Sequence, residues 1–537
     1  MAKFIRQYAP LLLALLLLLL TTVIVLSVSM SYNDGHVVYS LDDPYIHMAM
    51  AKNLAIYGTW GVNRHEFTSS SSSLLWTLLL SGVYAVFGVN DLAPLILNVL
   101  FLSVLLAFVF YILRSSGSGA VLNGFFLFIL TLGIPSVALV FCGMEHSLHT
   151  ALSVIFAYGS AQVISRNSTC TPVRELSMLL VFAALVVMAR FEGVFLVAVV
   201  CLLLVLRRRW MLSALLGVCG AFPVVLFGMI SVVKGWYFFP NSIMAKANVP
   251  RSLSLANLLG LGNSSNTTSL FERLYLSAPS LTVLLLFAVG GLVVLGRTSA
   301  KVWNPVSTLL VIFVLTTLIH LQFADTGWFF RYEAYLVALG IFAIALAVLR
   351  LRQSSGLFWQ RGPALIGMVI LVGVMVTPLL ARGAGASIHA PVFSRDIFHQ
   401  QVQMGLFLKE YYSEAGVAAN DIGAINYYSD IDCLDLWGLA DLDTFRAKWI
   451  GEYPPHLRFE LAEARGVKIA IIFDKWFERY GGSPVQWYKV AEWTDKDNVA
   501  SVSKTVSFYA VDPSERSRLA QSIRLFSSNR LPEKVVW

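Results

Sequence analysis

Long apolar segments recur along most of the chain, and this pattern constrains the fold more than any other feature. A helix needs about 20 apolar residues to cross the hydrocarbon core of a bilayer. Of the 537 residues, 57% are hydrophobic, and the mean hydropathy is +0.71, a value that soluble domains rarely reach. The sequence therefore predicts a polytopic α-helical membrane protein with about 11 transmembrane helices. The segments lie near 9–30, 92–113, 119–135, 147–164, 175–189, 193–206, 211–233, 276–296, 304–323, 333–349 and 363–381.

The segment "SLLWTLLLSGVYAVFG" (73–88) decides how the chain is threaded through the membrane. Counting it as a span would place the arginines at 207–209 outside the cytoplasm. Treating it as an outer-surface or re-entrant helix places them inside, together with Lys3 and Arg6, as the excess of Lys and Arg in cytoplasmic loops requires. We therefore predict a cytoplasmic N-terminus. The outward segments are then 31–91, 136–146, 189–193, 234–275, 324–332 and everything after 382.

The composition changes to that of a soluble domain near residue 386. The stretch "FHQQVQMGLFLKEYYSEAG" has helical periodicity and ends in glycine, and residues 468–474 and 506–511 have the pattern of buried strands. The sequence predicts a membrane domain over 1–385, with 31–91 as its first outer loop. It predicts an extracytoplasmic α/β domain over 386–537.

Two adjacent aspartates open a short helix in the first outer loop, in "YSLDDPYIHMAMAKNL" (39–54). Aspartate at the N-cap followed by proline is a common helix start, and Asp43 with Pro44 fits it. The helix itself has a face at helical spacing that could lie flat on the membrane surface. Capping does not explain Asp42, which the pattern leaves free to act.

The first outer loop resembles that of a known enzyme family. "LDDPYIHMAMAKNLAIYGTWGVN" and "TSSSSSLLWTLLL" are similar to the first loop of the GT-C membrane glycosyltransferases, and closest to the terminal arabinofuranosyltransferase family. Later motifs match in order and cover most of the chain. They are "CGMEHSLHTAL" (142–152), "ARFEG" (189–193) with Phe191 in place of a proline, "FFPNSIMAKAN" (238–248), "DTGWFFRYEAYLVAL" (325–339) and "DIGAINYYSDIDCLDLWGLADLD" (421–443).

The resemblance implies a glycosyltransferase that takes a sugar from a polyprenyl-phosphate donor and passes it to an envelope glycan, glycolipid or protein. In the best-known relatives that sugar is arabinofuranose. One base is sufficient, because phosphate is already a good leaving group and cations can stabilise its charge. The matching motifs imply Asp42 as the base, and Asp43 as a helix cap, an orienting group or an acceptor contact. They imply Arg331, Lys246 and Arg190 as phosphate-binding residues, and Glu145, Glu192, Asn241 and His146 as substrate-orienting residues.

Several of these residues have a simpler interpretation. Arginines and lysines at span ends often extend to the membrane surface without a specific ligand, and acidic residues there often cap helices or form ion pairs. The first-loop histidines His36, His47 and His65 fit no common ligand spacing, so the sequence predicts no metal site. A divalent cation could still assist Asp42.

Other classes of function stay open at this stage. A lipid or sugar transporter or flippase would carry charges inside its spans and related membrane halves, which the sequence does not display. A non-catalytic envelope assembly protein would tolerate loss of Asp42. The sequence has no glycine-rich motif that would bind a nucleotide. The basic clusters lie at the ends of the apolar segments, and this placement argues against nucleic-acid binding. We expect a multi-pass protein of the plasma or inner membrane, whose partners are the lipid donor, a glycan acceptor and the bilayer.

Overall fold

Apolar helices form the first part of the chain and coincide with the predicted segments. The computed structural model describes residues 2–167, 172–246, 272–298, 303–354, 362–500, 503–530 and 535–536. The helices are α1 (Ala2–Tyr32), α2 (Asp43–Tyr57), α3 (Leu74–Phe87), α4 (Ala93–Ser115), α5 (Ala120–Gly133), α6 (Ser136–Cys142), α7 (His146–Ser165), α8 (Val173–Ala189), α9 (Gly193–Leu206), α10 (Trp210–Val233), α11 (Asn241–Lys246), α12 (Pro279–Thr298), α13 (Pro305–Phe323), α14 (Ala334–Ser354) and α15 (Gly362–Ile397). A π-helical turn, Arg273–Ser277, precedes α12.

Within the described residues, nine helical segments are long and apolar enough to cross a membrane. The predicted class, a polytopic α-helical protein with a C-terminal α/β domain, is confirmed. Two apolar helices, α3 and α9, have 14 residues each and are shorter than these nine. Helix α15 runs without a break through residue 385, so the membrane helix continues directly into the soluble domain.

The C-terminal domain is a mixed sheet flanked by helices. Its helices are α16 (Gln403–Tyr411), which follows the π turn Phe398–Val402, α17 (Gly423–Tyr428), α18 (Leu442–Ile450), α19 (Pro455–Ala464) and α20 (Arg516–Arg530), with 3-10 turns at Asp474–Tyr480 and Pro513–Glu515. Its strands are β1 (Gly416–Ala419), β2 (Asp432–Asp435), β3 (Ile469–Ile472), β4 (Tyr488–Thr494), β5 (Thr505–Ala510) and β6 (Val535–Val536). The strand order is β2-β1-β3-β5-β4-β6. β1 pairs in parallel with β2 and β3, and the other pairings are antiparallel.

The position of β3 within the sheet explains why every residue of this strand is apolar. Ile469 and Ile471 belong to the core on one face of the sheet, whereas Ala470 and Ile472 belong to the core on the other. A strand covered on both faces has no position for a solvated side chain. The predicted strands over 468–474 and 506–511 are thus confirmed as β3 and β5.

Helix α2 connects the membrane domain to the soluble domain instead of lying on the membrane surface. Its residues Ile46 and Met50 lie in the same apolar core as Met404, Ile422 and Ile425 of the soluble domain. Almost the whole first half of α2 is buried. The first outer loop is therefore packed into the soluble domain, and the apolar face of α2 is the reason.

Candidate functional site

Segments far apart in the sequence meet at one end of the helix bundle. The first outer loop contacts the α6 end through the Ser40 amide, which donates to the Phe141 carbonyl at 2.9 Å. It contacts the start of α11 through the Asn241 amide, which donates to the Ser69 carbonyl at 2.9 Å. The motifs that the sequence placed on one side of the membrane therefore form one continuous structure.

Asp43 and Arg331 form an ion pair at the centre of this structure. Asp43 opens α2, and its side chain is 29% exposed, whereas the Arg331 side chain is fully buried. The Arg331 guanidinium also donates to the Tyr332 hydroxyl at 3.1 Å, and its Nη1 lies 2.8 Å from the Met144 sulfur. Within the described part of the chain its Nε has no hydrogen-bond partner. A second anion therefore reaches this buried guanidinium only by replacing the Asp43 carboxylate.

An unusual backbone turn delivers Arg331 to this position. Gly327, Trp328, Phe329 and Phe330 all have positive φ, between 44° and 85°. A left-handed conformation costs about 1–2 kcal/mol for each residue with a side chain, so other contacts must hold it. Arg382 of α15 supplies one, because it donates to the Phe330 carbonyl at 3.2 Å.

Arg190 is the centre of a second buried ion network. Its Nη1 donates to Glu145 at 2.5 Å, and its Nη2 and Nε donate to the two carboxylate oxygens of Glu192 at 2.6 and 3.2 Å. His146 lies 3.2 Å from the same Nη1. Burial alone would raise the pKa of Glu192, but the charge and hydrogen bonds of Arg190 lower it to about 2. Two carboxylates thus neutralise Arg190 and use its planar donors.

Tyr332 lies between the two arginines and joins the two clusters. Its ring centroid is 5.0 Å from the Arg331 guanidinium carbon and 5.4 Å from that of Arg190. His146 contacts the same ring at 5.9 Å. Asp43, Arg331, Arg190, Glu145, Glu192 and His146 therefore belong to one site. Tyr332 was not among the residues predicted from the sequence, although an aromatic next to an arginine in an outer loop is a usable signal.

Asp42 has a different environment from Asp43. Its carboxylate is 8% exposed and accepts the backbone amides of Gly423 at 2.6 Å and Ala424 at 2.8 Å, the first residues of α17. It occupies the N-cap position of α2 without a side-chain capping bond there. Asp421 lies against the same carboxylate, and burial raises the pKa of both groups. Asp42 thus caps a helix of the soluble domain.

Asn241 lies away from the ion pair, between the serine-rich loop and the soluble domain. Its side-chain amide donates to the Gly438 carbonyl at 3.0 Å, and its backbone amide bonds Ser69. It therefore joins two segments that surround the site. Lys246 ends α11, and its side chain lies outside the described part of the structure.

The serine-rich loop is folded inward around His47. The imidazole Nδ1 lies 3.0 Å from the Thr77 hydroxyl, and Nε2 lies 3.3 Å from the Ser72 hydroxyl and 3.8 Å from Glu145. Thr77 and Ser72 therefore hold the imidazole beside Glu145 of the Arg190 network. Across the ranges that the structure describes, no group of three or more histidine, cysteine or acidic side chains is placed to hold a metal ion.

Comparison with known proteins finds one family model that matches part of the C-terminal domain. Residues 395–509 match a family described as a domain of unknown function, DUF8728. No curated protein sequence matches the chain.

The fold of the chain is similar to that of a solved structure. The chain resembles the crystal structure of ArnT from Cupriavidus metallidurans bound to undecaprenyl phosphate, with a TM-score of 0.54 and 14% identity, covering 92% of this chain and 98% of ArnT. The apo state of the same protein gives a TM-score of 0.50 and 12% identity over the same shares. The likeness spans both domains, so the soluble domain belongs to the shared architecture.

Proposed function

We propose that the chain is a membrane glycosyltransferase that transfers a sugar from a polyprenyl-phosphate donor to a hydroxyl of an envelope acceptor. One observation carries the proposal: a partly exposed carboxylate, Asp43, sits against a buried arginine, Arg331, whose Nε has no hydrogen-bond partner among the described residues. The ArnT structure with undecaprenyl phosphate is a precedent for a polyprenyl phosphate on this fold.

The reaction needs two groups close together, and this pair offers both. The acceptor oxygen attacks the anomeric carbon, the carbon–oxygen bond to the phosphate breaks, and the acceptor proton passes to a carboxylate. The polyprenyl phosphate leaves with one additional negative charge. A positioned base contributes about 10²–10⁴-fold to such a step. A guanidinium in a dry site stabilises the departing charge without reorganising.

Arg331 is the residue we assign to the donor phosphate. Arg190 is already neutralised by Glu145 and Glu192, so we assign it a supporting role through Tyr332. In this arrangement the donor phosphate competes with Asp43 for Arg331. Donor binding would then release the carboxylate next to the anomeric carbon.

Asp43 is the base that the geometry favours, whereas the sequence motif favoured Asp42. Both oxygens of Asp42 already accept backbone amides, and its side chain is almost completely buried. Asp43 is the more exposed of the two and faces the cation. Since the residues are adjacent, only substitution of each can separate their roles.

The experiment compares envelope glycans in a deletion strain that carries wild type, Asp43→Asn or Asp42→Asn. Asp443→Asn is the matched control, because Asp443 is an exposed carboxylate on α18. We expect wild type and the control to restore a missing glycosidic linkage, and Asp43→Asn to fail at equal expression. The linkage itself identifies the sugar, which the motif resemblance suggests is arabinofuranose. Restoration by Asp43→Asn would refute the assignment of the base.

The predicted orientation also belongs to this proposal. The site faces the outside of the cell, where no nucleotide sugar is present, so a lipid-linked donor is required. We propose a multi-pass protein of the plasma or inner membrane, with a cytoplasmic N-terminus and an extracytoplasmic soluble domain. The C-terminal domain would bind the acceptor beside Asp43.

A further inference from the structure

Helix α17 of the soluble domain is held at both ends by residues of the first outer loop, one at the N-cap of α2 and one within α2. Asp42 accepts the amides of Gly423 and Ala424 at its N-terminus, where helix amides lack partners. At its C-terminus, the Lys52 ammonium donates to the carbonyls of Tyr427 at 2.8 Å and Asn426 at 3.2 Å. The helix dipole favours an acidic group at the first end and a basic one at the second. One helix of the first outer loop therefore holds a helix of the soluble domain.

The contact between Asp42 and α17 is too close for any side chain at residue 423. A Cβ on Gly423 would lie 2.2 Å from the Asp42 carbonyl oxygen and 2.5 Å from its Oδ2. Nothing in the local pattern of "DIGAIN" requires a glycine, since helix interiors and starts accept alanine. The glycine is explained by the approach of Asp42.

Asp421 brings a second carboxyl group to Asp42. Its carboxyl group hydrogen-bonds that of Asp42, and its Oδ2 accepts the side-chain amide of Gln401 at 2.8 Å. Two carboxyl groups can hydrogen-bond each other only when one of them carries a proton. Gln401 is neutral, and the carboxylate of Asp43 adds negative charge beside the pair. Of the cations, Arg331 faces Asp43, and Lys52 lies at the far end of α17.

We propose that Asp421 is a positioning residue of the transfer site: it shares one proton with Asp42, and this acid pair fixes the start of α2 and hence the adjacent Asp43. The proposal rests on the transferase function given above, and it assigns a role in that site to the soluble domain. Because Asp42 and Asp43 are consecutive, a rotation of the backbone at Asp42 displaces the side chain of Asp43. A displacement of 1 Å at a reacting group can cost about 10²-fold in rate.

The shared proton gives the proposal a signature that a purely structural contact would lack. Burial and the charge of Asp42 raise the pKa of Asp421 well above its ordinary value. An acid whose pKa is raised in the folded state stabilises the fold most when it is protonated. Its contribution to the free energy of unfolding therefore falls as the pH rises toward that pKa. Loss of the proton leaves two buried carboxylates in contact, and the start of α2 then separates from α17.

The test compares Asp421→Asn with Asp421→Ala in membranes of the deletion strain, supplied with the polyprenyl-phosphate lipid fraction of the wild type. Asparagine can donate to Asp42 as the protonated acid does, whereas alanine cannot. We expect Asp421→Ala to lower the transfer rate about tenfold to a hundredfold. We expect Asp421→Asn to recover most of that loss and to remove the fall in rate that wild type shows as the pH rises.

Thermal unfolding of the purified full-length variants is the second readout and does not depend on activity. Wild type should lose stability relative to Asp421→Asn as the pH rises. Gly423→Ala should behave like Asp421→Ala, and Gly385→Ala is its control, since no atom lies near a Cβ there. An Asp421→Ala protein with the rate and pH profile of wild type would overturn the positioning role. An Asp421→Asn protein as inactive as Asp421→Ala would overturn the shared proton.

The two proposals can fail separately. Suppose that wild-type membranes transfer no sugar, but the difference in stability between Asp421→Asn and wild type changes with pH as expected. The transferase function is then wrong, and the acid pair is supported. If transfer occurs and the stability profiles of wild type and Asp421→Asn are parallel, the acid pair is wrong.

Discussion

The guanidinium of Arg331 lies against the carboxylate of Asp43, which is 288 residues earlier in the chain. The pair joins the loop before α14 to the first turn of α2. Each residue satisfies the other while no donor is bound. This relationship makes the effects of substituting the two residues interdependent.

A double-mutant cycle on Asp43 and Arg331 should therefore be strongly non-additive. We expect Asp43→Asn to lower the transfer rate about 10²–10⁴-fold, as for loss of a general base. Arg331→Gln should do comparable harm, and the double variant should be little worse than either single one. Arg331→Lys keeps the charge but loses the planar donors, so it should recover only part of the activity. Transfer rates in membranes measure all four, and simple additivity would contradict a shared site.

The network around Arg190 predicts a pH-dependent loss of stability on replacing Glu192. The pKa of Glu192 is about 2 in the folded protein, below its ordinary value of 4.5. A lowered pKa stabilises the fold above the ordinary value, and that stabilisation is lost as the pH falls toward 2. Glu192→Gln should therefore cost about 3 kcal/mol at neutral pH, and the deficit should shrink between pH 4.5 and 2.

Thermal unfolding in detergent at several pH values checks this prediction. Glu175→Gln is the matched control, because Glu175 pairs with Arg166 on the surface, where an ion pair contributes about 0–1 kcal/mol. An equal loss in both variants, or a Glu192→Gln deficit that stays constant into acid, would contradict the assignment.

Gly383 of α15 should not tolerate a side chain. A Cβ there would lie 1.9 Å from the Leu132 carbonyl oxygen of α5, so the two helices would have to separate. Overpacking of this kind costs about 1–3 kcal/mol. Gly385, on the same helix, has no neighbour within 4 Å of its Cβ position and serves as the control. We expect Gly383→Ala to lower the melting temperature and Gly385→Ala to leave it unchanged or higher.

Labelling of new cysteines tests the proposed orientation. Val485 of the soluble domain is 93% exposed, and Arg174 lies at the exposed start of α8, at the opposite end of the bundle from Arg190. In intact cells, Val485→Cys should react with a membrane-impermeant maleimide, and Arg174→Cys should react only after permeabilisation. The wild-type protein, with its own cysteines, gives the background. The reverse pattern would place the site in the cytoplasm and remove the need for a lipid-linked donor.

The membrane spans could be predicted from the sequence for a physical reason, and so could the placement of the motifs on one side of the membrane. A bilayer requires about 20 apolar residues for each span, and this requirement is local and readable. It also fixes which loops share a side, and Asp43, Glu145, Arg190 and Arg331 do meet in one site. The motif resemblance identified these residues but not their partners.

The partners of Asp42 could not be read from the sequence. The bond to Gly423 joins segments 381 residues apart, and no periodicity in either segment encodes it. Capping rules assigned Asp43 to the N-cap of α2, which was wrong: Asp42 occupies that position without a side-chain capping bond, and the helix that it caps is α17 in the other domain. The left-handed turn at 327–330 was equally hidden, because only its first residue is a glycine. Such contacts depend on how the domains pack, which local chemistry does not specify.

Lys52 gives a final test of whether the soluble domain and α2 act as one unit. Its ammonium is buried against two α17 carbonyls and Asp430, and burial lowers its pKa. Lys52→Met keeps the apolar stem but leaves these carbonyls unpaired, at a cost of about 1–3 kcal/mol. We expect a lower melting temperature and a smaller loss of transfer than for Gly423→Ala, since Lys52 holds the end of α17 that is far from Asp43. Lys409→Met, an exposed lysine on α16, is the control. A Lys52→Met protein as stable as this control would indicate that α2 and the soluble domain are held together by their apolar core alone.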